Sequence, residues 1–389
     1  MLEAYAARYR AELAERVIPF WLRHSLDHEY GGYFSALDRD GTVYDTRKYV
    51  WLQGRAVWMF SRLYNEFAPD PAFLAAARLG VEFLRRYARD EQGRVYFSLT
   101  RDGRPVFMQR KPYAAVFYQM GLAEYARATG DAACLAEAAE VFEAIRRWIA
   151  DPALLGRPAL PGAPAVSQLA DLLVVGLMAL DMAALTGDPR YDAAIAETIA
   201  GVARHFDPDR HIYRERVSRD GTPLPDDPDS RLFNPGHSIE TAWIMLHMLE
   251  RQPDPALRAQ ALAAIRGSLT LGWDAQYGGI LYFVDLAGRP TLQLEATMKL
   301  WWPHAEAIYA LVLAATLTGD RQWLEWLERI DAYTFRHFVD PVYGEWFGYC
   351  DRQGELALTS KGGNYKGFFH VPRALLFSIQ AIERAGGAA

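Results

Sequence analysis

Apolar positions recur along this chain at helical spacing. Leu74, Ala77, Val81 and Leu84 form one stripe, and Ile308, Leu311, Val312 and Ala315 another. Such i, i+3/i+4, i+7 patterns bury one face of a helix. Stripes of this kind predict twelve helices, over about 3–23, 49–66, 71–88, 113–129, 132–148, 167–186, 190–205, 237–250, 256–270, 303–317, 321–337 and 370–385. The even-numbered ones are the more apolar. Tight turns follow them, APDP at Asp70, TGD at Asp131, Asp188 and Asp320, and QPDP at Asp254, each offering an Asp side chain to cap the next helix.

Longer joins carry a repeated motif of Asp, Gly, aromatics and a second turn: DHEYGGYFSALDRDG at Asp27, DEQGRVYFSLTRDG at Asp90, DPDRHIYRERVSRDG at Asp207, DAQYGGILYFVDLAG at Asp274 and DPVYGEWFGYCDRQG at Asp340. A degenerate copy begins at Asp151. Alternating residues around Gly turns read as short β-hairpins. Six helical hairpins that bury their faces against neighbours close into a ring. The expected fold is all-α: an (α/α)6 barrel spanning 1–389 as one domain, with hairpins gathered at the active-site end and the even-numbered helices inside.

Composition narrows the function. At 51% hydrophobic and 23% charged residues, the chain is neither disordered nor a coiled coil. A net charge of −6 without a basic run argues against nucleic acid as partner. Two cysteines, Cys134 and Cys350, cannot form a disulfide framework. The first residues mix charges with no apolar run, so no signal peptide is expected. The apolar stretch 169–185 contains Asp171 and Asp181 and reads as a buried helix, not a membrane span. A cytoplasmic protein, as a homodimer, is the expectation.

Inner helices begin at the long-loop end, so their first turns should ring a cavity. Polar and titratable groups concentrate there: WLQGR from Trp51, Tyr113, Gln168, Asp171, NPGHSIETAW from Asn234, WWPHAEA from Trp301 and FFHVPRA from Phe368. His237 and His370 each open an inner helix beside aromatics, and two imidazoles across a ring can address both faces of one substrate. Glu240 lies one turn after His237 on the same helix face. Arg55 is an inward guanidinium suited to an oxyanion, or else to an ion pair with Glu240 or Glu306. Glu306 sits where a carboxylate also favours a helix N-terminus. A metal site joining the HxxE of His237 and Glu240 to His304 and Glu306 needs three or four convergent ligands, and no metal is expected. Trp51, Trp301, Trp302, Trp346, Tyr113 and Phe369 are flat groups placed near the same rim. KGGNYKG from Lys361 lacks the order of a phosphate loop; Lys299, Lys361 and Lys366 fall beside the site.

NPGHSIETAW at 234–243, MKLWWPHAEA at 298–307, GEWFGYCDRQGE at 344–355, KGGNYKGFFHVPRA at 361–374 and WLQGRAVW at 51–58 resemble the N-acylglucosamine 2-epimerase (renin-binding protein) family, over about residues 5–385. The resemblance implies an (α/α)6 barrel with two catalytic histidines, matching His237 and His370. It implies substrate-binding roles for Arg55, Tyr113, Glu240, Trp302, His304 and Glu306. Segment 151–166 matches poorly. WWPHAEA and FFHVPR look nearer the acylglucosamine branch than the cellobiose epimerases or mannose isomerases of the family. The implied reaction interconverts N-acetylglucosamine and N-acetylmannosamine through a C2 enolate, with no cofactor required. Stimulation by nucleotide (ATP) is also implied, at no site the residues mark. The alternatives are an epimerase or aldose–ketose isomerase of unacylated sugars, a glycoside hydrolase using Glu240 and Glu306, and a non-catalytic binding scaffold.

Overall fold

The computed structural model describes residues 2–387. Six inner helices, α3 (Val50–Glu66), α5 (Tyr113–Thr129), α7 (Leu169–Thr186), α10 (Pro235–Arg251), α12 (Trp301–Thr318) and α14 (His370–Gly387), pack side by side around an axis. The outer partners are α1 (Leu2–Glu12) with α2 (Ile18–His24), then α4 (Pro71–Tyr87), α6 (Ala132–Ala150), α8 (Pro189–Ala203), α11 (Pro255–Gly272) and α13 (Gln322–His337). The short helix α9 (Pro228–Arg231) lies in a long join. Trp58 of α3 meets Phe369 beside α14 at 5.3 Å, and α1 packs on α14. The ring therefore closes, and its inner members are the apolar set.

Local chemistry explains the boundaries. Asp70, Asp131, Asp188 and Asp254 accept N–H bonds from the first turns of α4, α6, α8 and α11, as their turns predicted. The predicted first helix is interrupted by one π-helical turn, Leu13–Val17. Pro19 follows at once; it lacks an N–H and clashes with the carbonyl one turn back, so a regular ladder cannot pass through it. All strands among the described residues lie in the long joins. In the degenerate copy after Asp151 a 3-10 turn, Pro152–Leu155, stands in place of a hairpin. α7 is long and apolar enough to cross a membrane, yet it packs on α5, α8 and α10 as a barrel helix.

The repeated Asp is structural. Asp27 accepts from Lys48 and Arg101, and Asp274 from Lys299 and Arg352. Asp340 pairs with Lys361 and with Arg39. In each case the arginine belongs to the second turn of the following copy; Arg39 of the first copy reaching Asp340 of the last closes the ring. Three of the hairpins also grip the preceding inner helix. The N–H groups of Val50, Leu169 and Trp301 donate to the carbonyls of Phe97, Glu215 and Gly348, which fixes the starts of α3, α7 and α12.

Gly54 shows how closely the inner ring is packed. A Cβ there would stand 2.2 Å from the Phe117 carbonyl oxygen on α5. Backbone cannot yield as a side chain can, so Gly54→Ala should cost about 3 kcal/mol, the upper end of overpacking effects. A denaturant midpoint equal to that of the unsubstituted protein would refute this close approach.

Candidate active site

At the long-loop end the barrel opens into a cavity of about 640 Å³. His237, Glu240, Arg55, Trp302 and His370 line its depths, and Tyr282, Tyr349 and Tyr365 its walls. The aromatic walls suit sugar C–H faces, and the charged groups sit where inner helices begin.

His237 lies in the first turn of α10, held by its backbone N–H donating to the capping Asn234 side chain. Its Nδ1 is 3.1 Å from both carboxylate oxygens of Glu215. His370 opens α14, and its Nδ1 is 2.7 Å from Glu306 Oε1. A carboxylate can only accept, so each Nδ1 carries the proton. Nε2 is thereby left to exchange a proton with substrate. The two imidazoles flank Trp302, at ring-centre distances of 5.0 and 5.7 Å.

Their environments pull in opposite directions. Burial lowers His370 well below the ordinary imidazole value, and the cations of Arg55 and Arg373 lower it further. Burial opposes the charged form of His237 too, but the carboxylates of Glu215, Glu240 and Glu306 together outweigh it and raise that imidazole from its ordinary value. The two imidazoles are thereby pushed apart, His370 towards the neutral base and His237 towards the proton-holding acid, the separation that acid–base pairs require.

Arg55 stacks over Phe117 at 4.0 Å and Trp51 at 4.6 Å. Its Nε has no partner, and Arg55 forms no ion pair among the described residues. Burial lowers it to about 9 against the pull of Glu240, so it stays charged at neutral pH. A fixed, uncompensated guanidinium of this kind awaits an anionic oxygen. The ion-pair alternative from the sequence belongs instead to Arg373, whose Nη2 reaches Glu240 at 2.6 Å and Glu306 at 2.7 Å. Glu240, Glu306 and His370 converge within 4.8 Å and could hold a metal, but Arg373 already places a positive charge among them.

Four expectations need correction. His304 does not reach the cavity. It is fully buried, Nδ1 donating to the Leu300 carbonyl and Nε2 accepting from the Ile280 N–H; both nitrogens are spent on holding the loop. Glu306 lies beneath the cavity wall at 1% exposure, supporting His370, Arg373 and Trp243 Nε1. Trp346 is buried against Phe335 and donates to Glu12, away from the rim. Tyr113 heads α5 and donates to Asp171 at 3.0 Å, outside the residues lining the cavity. Lys299, Lys361 and Lys366 are buried in ion pairs. Sequence reasoning missed Glu215 and Arg373. The first lies in a hairpin whose register only the fold reveals; the second is one helical turn after His370, a spacing that could have marked it.

The N-acylglucosamine 2-epimerase family model matches residues 32–374. N-acylglucosamine 2-epimerase from Bos taurus is 44% identical, the match covering 98% of this chain and 92% of the relative. The Homo sapiens protein of that name is 42% identical, covering 96% of this chain and 89% of its own. Cellobiose 2-epimerase from Bacillus thermoamylovorans B4167 superposes with a TM-score of 0.84 at 22% identity, covering 97% of this chain and 99% of that one; this likeness concerns the fold.

Proposed function

The chain belongs to the N-acylglucosamine 2-epimerase family, and we propose that it interconverts N-acetylglucosamine and N-acetylmannosamine, with His370 and His237 as the two proton-transfer groups. The observation that carries this reading is the pair of carboxylate-oriented imidazoles, oppositely shifted, on one cavity. With the sugar ring open, the C1 aldehyde acidifies the C2 proton. Neutral His370 removes it at Nε2; charge develops on O1, near the unpartnered Arg55. Imidazolium His237 then delivers a proton to the opposite face of C2. The reverse reaction uses the same dyad with the proton on the other ring. The names of the relatives, at up to 44% identity, support the acylated substrate. A glycosidase role for Glu240 and Glu306 gains no support, because both are clamped on one Arg373 nitrogen instead of standing on either side of a scissile bond.

Incubation with N-acetylmannosamine, N-acetylglucosamine, mannose and glucose in D₂O tests the reading. Deuterium should enter C2 of the two acylated sugars. Exchange confined to mannose and glucose would reassign the substrate, and no exchange in any sugar would end the two-base reading.

The dyad also fixes a pH profile. Activity falls on the acid side as His370 gains a proton, below pH 6.5, and on the alkaline side as His237 loses one, above 6.5. Both directions need one proton on the pair, so both should give the same bell-shaped kcat/KM curve. Curves with different limbs in the two directions would break the shared-proton scheme.

A further inference from the structure

Four tyrosines line the cavity. Tyr44 is engaged, its hydroxyl donating to the Gly362 carbonyl at 2.8 Å. The hydroxyls of Tyr282, Tyr349 and Tyr365 donate to no group among the described residues. Position separates these three. Tyr365 stands at the rim, 57% exposed and edge-on to Trp51. Tyr349 packs edge-on against Trp301. Tyr282 meets Trp302 edge-on, with ring centres 6.2 Å apart, and Trp302 is the ring that both imidazoles flank. The Tyr282 backbone N–H donates to the Met298 carbonyl at 3.1 Å, which sets Met298, another lining residue, beside it. Burial and the carboxylates of Glu295 and Glu215 push the Tyr282 phenol up to about 12, so it keeps its proton and offers a donor at neutral pH.

We propose that Tyr282 is the residue that selects acylated sugars, its hydroxyl donating to the acyl carbonyl on the C2 nitrogen and Met298 lying against the acyl methyl. The placement of C2 rests on the epimerase reading. In the planar enolate both faces of C2 belong to His237 and His370, and O1 is drawn to Arg55. The other in-plane bonds carry the nitrogen and C3. C3 bears the long hydroxylated chain, which needs the open mouth, so the acylamino group is left against the wall of Trp302 and Tyr282. An amide carbonyl is an acceptor that a phenol with a free proton completes, and the adaptable methionine side chain fits a methyl group. A bare C2 hydroxyl places no acceptor that far from C2.

Calorimetric titration with N-acetylglucosaminitol and with glucitol, open-chain alditols that cannot react, tests it. The unsubstituted protein should prefer the acylated alditol. Tyr282→Phe removes only the hydroxyl; it should weaken N-acetylglucosaminitol by about tenfold, the upper worth of one neutral hydrogen bond, and leave glucitol unchanged. A merely structural role would move both alditols alike. In turnover, KM for N-acetylmannosamine should rise by more than kcat falls, as expected for a contact made in ground and transition states alike. Equal weakening of the two alditols, or no weakening of either, would overturn the assignment. Acyl preference that depends on Tyr282, without C2 exchange in any sugar, would keep the contact and end the epimerase reading. C2 exchange with an acyl preference that survives Tyr282→Phe would do the reverse.

Discussion

Replacing His370 with Asn should abolish epimerisation in both directions, by about 10²–10⁴-fold, and His237→Asn should do the same. Each direction needs one group to take the C2 proton and the other to return one. Asn keeps approximate shape and removes the base. The stronger expectation is isotopic. In D₂O, product from the unsubstituted protein should carry deuterium at C2 from the first turnover, while recovered substrate carries little. Each variant should still exchange the C2 hydrogen of the isomer whose proton faces its surviving imidazole, so the two variants should favour opposite isomers. Near-normal epimerisation by either variant would make that histidine a structural or hydroxyl-binding residue. Complete retention of substrate hydrogen in the product would point to a single shielded base or a hydride route.

Much of this arrangement was legible in the sequence because it is local or periodic. Helical stripes and capping Asp turns depend on neighbouring residues, and six copies of one pattern multiply a weak signal. The repeat also located the cavity, since every long join ends at an inner helix. Partners joined only by the fold were less accessible. Glu215 lies in one hairpin and His237 in the next helix, 22 residues later. Glu306 and His370 stand 64 residues apart. His304 misled for a physical reason: a helix's first turn has two sides, and spacing alone does not say which faces the axis. Here the neighbouring position 302 looks into the cavity, while His304 turns outward to the Ile280 backbone. Asp27, Asp274 and Asp340 were read as turn markers, and their role as anchors for buried lysines depends on contacts between successive copies.

Arg373 leads to the last expectation, which concerns metal. Its Nη2 lies between two carboxylates that, with His370, would otherwise make a three-ligand cation site. A divalent ion would have to displace a buried guanidinium, so epimerisation by the unsubstituted protein should withstand exhaustive chelation. Arg373→Ala reverses the situation. Two buried carboxylates then face each other without a counter-charge, and stability should drop by about 3–5 kcal/mol. His370, freed from a cation that lowers it, should hold its proton to higher pH and lose its readiness as a base. Activity at neutral pH should fall by at least about 10²-fold, a loss comparable to that of a preorganised electrostatic contact. In this variant Zn²⁺ should raise the unfolding temperature in a saturable manner, because a ligand that binds only the folded state stabilises it by mass action. Zn²⁺ should leave the unsubstituted protein's unfolding unchanged at the same concentrations. The comparison separates a cation supplied by the chain from one supplied by solution. If chelation inactivates the unsubstituted protein and Zn²⁺ or Mn²⁺ restores it, then Arg373 is not the charge that the site relies on.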